Sequence, residues 1–565
     1  MKISGAEAIV RTLIRNGADI MFGYPGGAIM PTYDELYHVR DKLHHVLVRH
    51  EQGAVHAAVG YARATGKVGV AMATSGPGAT NLITGMADAL LDSVPLVCIT
   101  GQVAEHLLGT DAFQESDITG MAVPATKWSY QVVDAEEIPV AIDKAFEVAK
   151  RGRPGPVLID ITKNAQVAFF DYIEKKSDKQ LPEIGTLMSK KDLAQAANLI
   201  NNAKRPYMLI GNGVQISGAQ KEVIELAEKA DLAVASTLHG LSSMPTDHPN
   251  LVGYLGMHGN YGPNVLSNEA DVVIAVGMRF DDRVTGNLAN YLNDSKVIHI
   301  EIDDAEINKN VPAEVALMAD AKAALKALIP LVNENKHPKW HQRFKECRQK
   351  EYDVVIKDQI HPKGPEIKMA QAINRLCEKT KGEAIIVTDV GQNQMMAARY
   401  YKFTKPCSHI TSGGLGTMGY SLPAAIGAKI GQPDRVVVSI SGDGGFQMNI
   451  QELALLNQEN IDLKVIVLNN SWLGMVRQWQ ELFFDKRYSA TDISSPNLQY
   501  IAKAYGIAGS KVEKSEELDE HLDKMLNHKG SYLLEIMVEK EGNVFPMVPT
   551  GASVSEILLE PEAKK

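Results

Sequence analysis

Short β-branched apolar runs alternate with stretches of helical period along most of this chain, a pattern that predicts parallel sheets covered on both faces. A first group of runs lies at 19–22, 45–48, 68–74 and 95–100. A second lies at 207–210, 232–236, 272–276 and 297–302, and a third at 384–388, 435–441, 463–468 and 532–538. Ser4 and Glu7 make a capping-box pattern before Ile9, Val10, Leu13 and Ile14, with Gly17 as the stop, so the opening element is expected to be a helix. A charged stretch at 171–185 and a polar, Lys-rich stretch at 333–364 separate the groups. The expected class is α/β, with three doubly wound parallel-sheet domains over 1–170, 188–332 and 365–541 and a C-terminal tail over 542–565. No repeat of 20 to 50 residues is visible, although the first and third groups share a general α/β pattern.

Composition narrows this picture only a little. At 565 residues the chain is too long for one core, and 45% hydrophobic with 22% charged residues is ordinary for a globular protein. A net charge of −10 carries no nucleic-acid footprint. Cys98, Cys347, Cys377 and Cys407 are few, far apart and without C-x-x-C spacing, which reads as incidental thiols. The first residues have neither an apolar core nor Arg-rich transit character, and the longest uncharged stretch, 412–428, is rich in Gly and holds a Pro. No membrane segment is expected, and the expected location is cytoplasmic.

The chemistry concentrates between 442 and 470. Gly442-Asp-Gly-Gly445 closes the run at 435–441, Asn469-Asn470 closes the run at 463–468, and 446–458 reads as the crossover helix between them. Asp443 and Asn470 therefore fall at the carboxyl ends of two parallel strands, the edge where open α/β sheets bind ligands. Both offer oxygen to one cation, while Gly442, Gly444 and Gly445 let backbone N–H groups approach a diphosphate. Either dipeptide alone is an ordinary turn. Together, with 24 residues between Gly444 and Asn469, they resemble the thiamine diphosphate motif of GDG followed by NN.

Glu51 directly follows the run at 45–48 and so sits at the ligand edge of the first sheet, where a carboxylate is also favoured simply by the helix dipole. Beside a thiamine diphosphate clamp it becomes the candidate that favours the imino tautomer of the aminopyrimidine. The 74–81 loop, Thr-Ser-Gly-Pro-Gly-Ala-Thr-Asn, opens a helix and reads equally as an anion-facing turn or a structural one. The 411–419 stretch, Thr-Ser-Gly-Gly-Leu-Gly-Thr-Met-Gly, reads as tight packing or as a wedge beneath a bent cofactor, with Met418 as the wedge.

Six blocks in order, His50-Glu-Gln-Gly-Ala, 74–81, Gly109-Thr-Asp-Ala-Phe-Gln-Glu, Arg153-Pro-Gly-Pro-Val, Arg279-Phe-Asp-Asp-Arg-Val-Thr-Gly and Gly474-Met-Val-Arg-Gln-Trp, resemble the acetohydroxyacid synthase (acetolactate synthase) catalytic large-subunit family over about residues 4–555. The resemblance implies pyrimidine-binding, FAD-type and diphosphate-binding domains in that order. It implies that Glu51 activates the aminopyrimidine, that Met418 and the Gly416 carbonyl hold it bent, and that Asp443, the Asn470 side chain and the Trp472 carbonyl ligate Mg²⁺. Gly211, Gly213, Arg279, Asp303 and Asp320 fall on its FAD-contacting stretches, although Gly211-Asn-Gly213 lacks the third glycine of a dinucleotide fingerprint. Phe113, Gln114, Lys163, Met257, Arg279 and Trp479 match its substrate channel, with Gln114 and Lys163 counted as catalytic.

The implied reaction condenses a pyruvate-derived hydroxyethyl carbanion with a second 2-ketoacid, pyruvate or 2-ketobutyrate, with loss of CO₂, toward branched-chain amino acids and with FAD structural. A homo-oligomer, dimer or tetramer, and a small regulatory subunit are implied as partners. Arg279 to Arg283 and Trp479 set the chain apart from an FAD-independent catabolic acetolactate synthase and from a pyruvate oxidase or decarboxylase. The paired clamp sets it apart from a nicotinamide-dependent dehydrogenase, and the presence of Glu51 and Asp443 from a non-catalytic paralogue.

Overall fold

The computed structural model describes residues 1–174 and 188–561, so most of the charged stretch at 171–185 lies outside the described residues. Three six-stranded sheets, each parallel throughout, follow one another along the chain. The expected α/β class with three doubly wound sheets is what forms. In the first sheet the spatial order is His44–Leu47, Ile20–Gly23, Gly69–Ala73, Leu96–Gln102, Pro156–Thr162, Trp128–Val132. Numbered within the domain this is 2-1-3-4-6-5. The third sheet repeats it: His409–Thr411, Ile385–Thr388, Val437–Gly442, Lys464–Asn469, Tyr532–Met537, Ala508–Val512. The central sheet differs, running Leu251–Tyr254, Ala233–Ser236, Pro206–Ile210, Val272–Val276, Lys296–Glu301, Val315–Met318, or 3-2-1-4-5-6. That is the order of dinucleotide-binding sheets.

Topology fixes where ligands can sit. Strand order reverses between Ile20–Gly23 and Gly69–Ala73 in the first sheet, between Pro206–Ile210 and Val272–Val276 in the second, and between Ile385–Thr388 and Val437–Gly442 in the third. At each reversal the two following loops diverge and leave a crevice at the carboxyl edge. The loops that begin at Thr74, Gly211 and Asp443 all leave strands at these points.

Two sequence expectations fail locally. The opening element is a strand, Lys2–Ser4, paired antiparallel with Phe169–Asp171, and the helix Gly5–Arg15 follows it. Ser4 still caps that helix by accepting from the Glu7 N–H at 3.0 Å, but Glu7 turns outward to Arg11 instead of back to Ser4. The expected crossover helix at 446–458 is broken: Asp443–Met448, then Leu453–Gln458, with Asn449 between them off helical geometry. Asn449 leaves the helix because its side-chain amide donates to the Gly419 carbonyl at 2.7 Å.

The first and third domains share one continuous core, built around the helices Glu51–Thr65 and Ser421–Gly431. Their crossing is made of small residues. A Cβ on Gly60 would overlap the Ala424 carbonyl, and one on Gly427 would overlap the Ala57 carbonyl. Buried His56 packs edge-on against Tyr420 in the same interface, ring centroids 5.2 Å apart. The polar stretch at 333–364 is mostly helical, with Pro338–Glu351 burying Trp340 and Phe344 against Tyr207. No helix among the described residues is long and apolar enough to cross a membrane.

The crossing predicts a sharp glycine requirement. Gly60→Ala should destabilise by about 1 to 3 kcal/mol through overpacking. Gly364→Ala, in open space, should stay within about 0.5 kcal/mol of the parent in thermal unfolding.

Candidate active site

Asp443 opens the helix Asp443–Met448 straight after the strand Val437–Gly442, and Asn470 follows the strand Lys464–Asn469. Asp443 is 1% exposed. One of its oxygens accepts from Ser495 Oγ at 3.1 Å, while Oδ1 is buried with no hydrogen-bond partner. Burial pushes its carboxyl up to about 6, with the Ser495 hydrogen bond pulling the other way. A buried carboxylate oxygen without a donor is costly unless a cation meets it, and this is the feature that fits a metal site. Asn470 aims beside it: its Nδ2 donates to Gln392 Oε1 at 3.1 Å and its Oδ1 accepts from the Trp472 N–H at 3.1 Å. No cluster of three or more His, Cys, Asp or Glu with metal-holding geometry exists among the described residues. A cation here would therefore take one carboxylate, amide and carbonyl oxygens, and oxygens from its ligand, a set that suits Mg²⁺ bound with a phosphate.

The glycines of the clamp serve packing as well as access. A Cβ on Gly444 would come within 2.8 Å of Leu473 Cδ2, and one on Gly445 would run into Asp389. Asp389 is a site residue that sequence reading missed. Wholly buried, it accepts from the N–H groups of Val390 at 3.0 Å, Gly419 at 3.1 Å and Ser421 at 3.1 Å. It thereby ties the Met418 loop to the clamp, and Met418 Cε lies 3.8 Å from where a Gly444 Cβ would be.

Glu51 starts the fifteen-residue helix Glu51–Thr65 and accepts from Asn81 Nδ2 at 2.9 Å. Half-buried Tyr33 lies near enough that the Glu51 charge adds to burial in raising its hydroxyl.

A cavity of about 710 Å³ is the second centre, walled by all three domains. Gly213, Met257, Arg279, Asp320, Gly416 and Trp479 line it. Glu51, Phe113, Gln114, Lys163, Gly211, Asp303, Met418, Gly442, Asp443, Gly444, Gly445, Asn470 and Trp472 do not. Gly211 and Gly213 close the gap between neighbouring strands, since Cβ atoms there would meet Gly277 and Met278. Asp303 turns away to Arg153, 3.3 Å distant, while Arg153 itself and Glu301 line the wall. Burial raises Glu301 to about 7 despite the N–H groups of Asp303 and Ile302. Phe113 stands 89% exposed and Lys163 is exposed on the surface of the first domain.

Two buried carboxylates hold the cavity wall in place. Asp92 accepts from the Gly413 N–H at 2.9 Å and the Gly414 N–H at 2.7 Å, with His239 Nε2 at 2.9 Å and Arg63 at 3.7 Å. Burial alone would raise it, but His239 and Arg63 outweigh that and hold it down at about 2. Asp88 accepts from Ser412 and, at 3.1 Å, from Thr417. Sequence signals for this pair were absent, because Asp88 and Asp92 sit in an unremarkable helix end. Met257 is held from the other side, where Arg399 donates to the His258 and Gly259 carbonyls at 3.3 and 2.8 Å and pairs with buried Glu351. The Val548 N–H, from the C-terminal segment, donates to the Met257 carbonyl at 2.8 Å.

Fold, clamp and cavity define a thiamine pyrophosphate enzyme. Residues 3–121 match its N-terminal TPP binding domain, 193–328 its central domain and 389–536 its C-terminal TPP binding domain. The chain is 44% identical to acetolactate synthase isozyme 2 large subunit of Escherichia coli K12, over 98% of this chain and 99% of that protein. It is 42% identical to acetolactate synthase large subunit of Lactococcus lactis, over 98% and 96%. Against acetolactate synthase 1, chloroplastic, of Nicotiana tabacum it is 42% identical over 99% and 85%. The chain belongs to the acetolactate synthase large-subunit family.

Removing the buried Asp92 carboxylate takes away the shared acceptor of Arg63, His239 and two amides. Asp92→Ala should cost about 3 to 5 kcal/mol, read as a lower thermal midpoint, and should open the 412–419 loop to limited proteolysis ahead of global unfolding.

Proposed function

We propose that the protein is an acetolactate synthase: a carboligase that joins the two-carbon unit of pyruvate, after loss of CO₂, to a second 2-ketoacid. Pyruvate as acceptor gives 2-acetolactate and 2-ketobutyrate gives 2-aceto-2-hydroxybutyrate, in branched-chain amino-acid biosynthesis in the cytoplasm. The observation that carries this is the paired clamp at the third sheet's reversal point, on a chain that aligns end to end with acetolactate synthase large subunits. When bound, thiamine diphosphate supplies the electron sink for decarboxylation and carbon–carbon bond formation.

The chain's own groups do the rest. Glu51 shares a proton with the aminopyrimidine ring nitrogen. Gly416 and Met418 would position the cofactor's aminopyrimidine, and the N–H groups around Gly442, Gly444 and Gly445 would receive its diphosphate. Asp443, Asn470 Oδ1 and the Trp472 carbonyl would hold Mg²⁺, a reading supported by the partnerless buried Asp443 Oδ1. The three-domain cavity would hold FAD as a structural group. Its support is the 3-2-1-4-5-6 sheet and a 710 Å³ volume, which lies in the usual range for ligand sites. Arg279 suits its diphosphate, Asp320 the polar edge of its binding stretch, with Asp303 reaching it only through Arg153, and Gly211 and Gly213 the tight turn beneath it.

Met257, Arg279 and Trp479 line the channel for the acceptor, with the Arg279 guanidinium matching a 2-ketoacid carboxylate. Phe113, Gln114 and Lys163 lie away from that cavity on the first domain. This supports a homo-oligomer, at least a dimer, in which the first domain of one chain completes the site of its partner's third domain. A small regulatory subunit belongs to the same reading, supported by relatives named large subunits.

Purified protein given pyruvate, thiamine diphosphate, Mg²⁺ and FAD should form 2-acetolactate and retain a flavin spectrum. Acetaldehyde, or acetate with hydrogen peroxide, as the main product would overturn the reading. Trp479→Leu should keep acetolactate synthesis but lose selectivity for 2-ketobutyrate by about 1 to 3 kcal/mol in competition. Unchanged product ratios would remove the indole from the acceptor pocket. Shared sites make a further demand: mixing and refolding Glu51→Ala with Asp443→Ala should restore about a quarter of the sites when chains pair at random. Mixed dimers without activity would place each site within one chain.

A further inference from the structure

The loop at 74–81 lies against the Glu51 carboxylate. Asn81 Nδ2 donates to Oε2 at 2.9 Å, and Gly78 lies against the other side, where a Cβ would stand 3.3 Å from Oε1. Asn81 is itself fixed by its place at the end of the short helix Pro77–Thr80, its N–H donating to the Pro77 carbonyl at 3.0 Å. The loop leaves the strand Gly69–Ala73 at the first sheet's reversal point, so its position is set by the sheet and not by the carboxylate. A carboxylate at the first turn of a helix has free rotation about its terminal torsion unless a donor fixes it. One donor on one oxygen, with a glycine leaving room at the other, fixes both.

We propose that Asn81 is a positioning residue for the reaction: its amide holds Glu51 Oε2 so that Oε1 is the oxygen presented to the aminopyrimidine, and Gly78 keeps that oxygen accessible. This rests on the reading of Glu51 given above. Asn81 touches neither substrate nor cofactor in this scheme, and its effect passes through the orientation of one carboxylate. An aspartate at 81 keeps the shape and loses the donor, and also sets a second negative charge against Glu51. A glutamine keeps the donor on a longer stem.

The test follows the proton at C2 of the thiazolium ring. With the holoenzyme and thiamine diphosphate, deuterium exchange at that carbon is read by acid quench and NMR, alongside cofactor affinity and the thermal midpoint. Asn81→Asp and Asn81→Ala should slow exchange by about tenfold to a hundredfold, the worth of one hydrogen bond to a charged group. Cofactor affinity should stay within about threefold and the fold intact, since the diphosphate is held on the third domain. Asn81→Gln should recover part of the loss, and adding Asn81→Ala to Glu51→Gln should cost nothing further because both act through one carboxylate. Parent-like exchange in Asn81→Asp and Asn81→Ala, with exchange lost in Glu51→Gln, overturns the role of Asn81 and leaves that of Glu51 standing. Parent-like exchange in Glu51→Gln overturns the reading of Glu51 and this proposal with it. Additive losses in the double variant assign Asn81 a separate structural effect and also overturn the proposal.

Discussion

The crossing of Glu51–Thr65 over Ser421–Gly431 is the contact on which the other arrangements rest. Gly60 and Gly427 bring two backbones so close that no other side chain fits, and the two domains then share a single core. Interiors this dense move as units instead of bending smoothly. Glu51 is carried on the first turn of one partner, and the second partner follows directly on the Met418 loop. Asp88 and Asp92 complete the weld by taking the hydroxyls and amides of that loop as donors, with His239 recruiting the central domain. Charges are buried here at a cost, and what they gain is a defined register between three separately built sheets.

The three sheets divide the work by topology. The first and third are the same 2-1-3-4-6-5 arrangement, and in each the loop that leaves the third strand carries part of the site, Thr74 to Asn81 in one and Asp443 onward in the other, while Glu51 follows a second strand and Asn470 a fourth. The central sheet has the order of a dinucleotide binder and opens its crevice toward both neighbours. The cavity consequently borrows Arg153 from the first domain and Gly416 and Trp479 from the third. Its wall is set by where strands end and carries charge of both signs, Arg153, Arg279 and Arg283 beside Asp281, Glu301 and Glu306.

Central strands were legible in the sequence because they are apolar on both faces. Val272–Val276 and Lys464–Asn469 lie within a residue or so of the runs that announced them. Edge strands were less so, apart from His44–Leu47, which falls on the run at 45–48. Trp128–Val132, Ala508–Val512 and the three-residue His409–Thr411 carry polar side chains toward solvent or are too short to show a period. Pro156–Thr162 escaped for another reason: Asp160 interrupts its apolar run, and only the fold reveals that Thr100, Gln102 and Gln131 satisfy that carboxylate. The same limit applies to the site. Asp443 and Asn470 stood out because glycines and paired strands flag them, whereas Asp389, Asp92 and Arg399 act through partners hundreds of residues or many turns away, which no local pattern encodes.

Glu351 and Arg399 give the connecting helix Pro338–Glu351 a part beyond joining domains. Glu351 accepts from Asn260 Nδ2 and the Tyr261 N–H, and Arg399 reaches the two carbonyls just past Met257, so one ion pair binds the connector, the central domain and the third domain together. The connector lies outside the matched domain segments 193–328 and 389–536. It is therefore a poor place to splice. A chimera that takes its connector from one relative and its third domain from another would inherit half of this ion pair from each parent, and compatibility at 260, 351 and 399 would decide whether such a hybrid assembles its pocket.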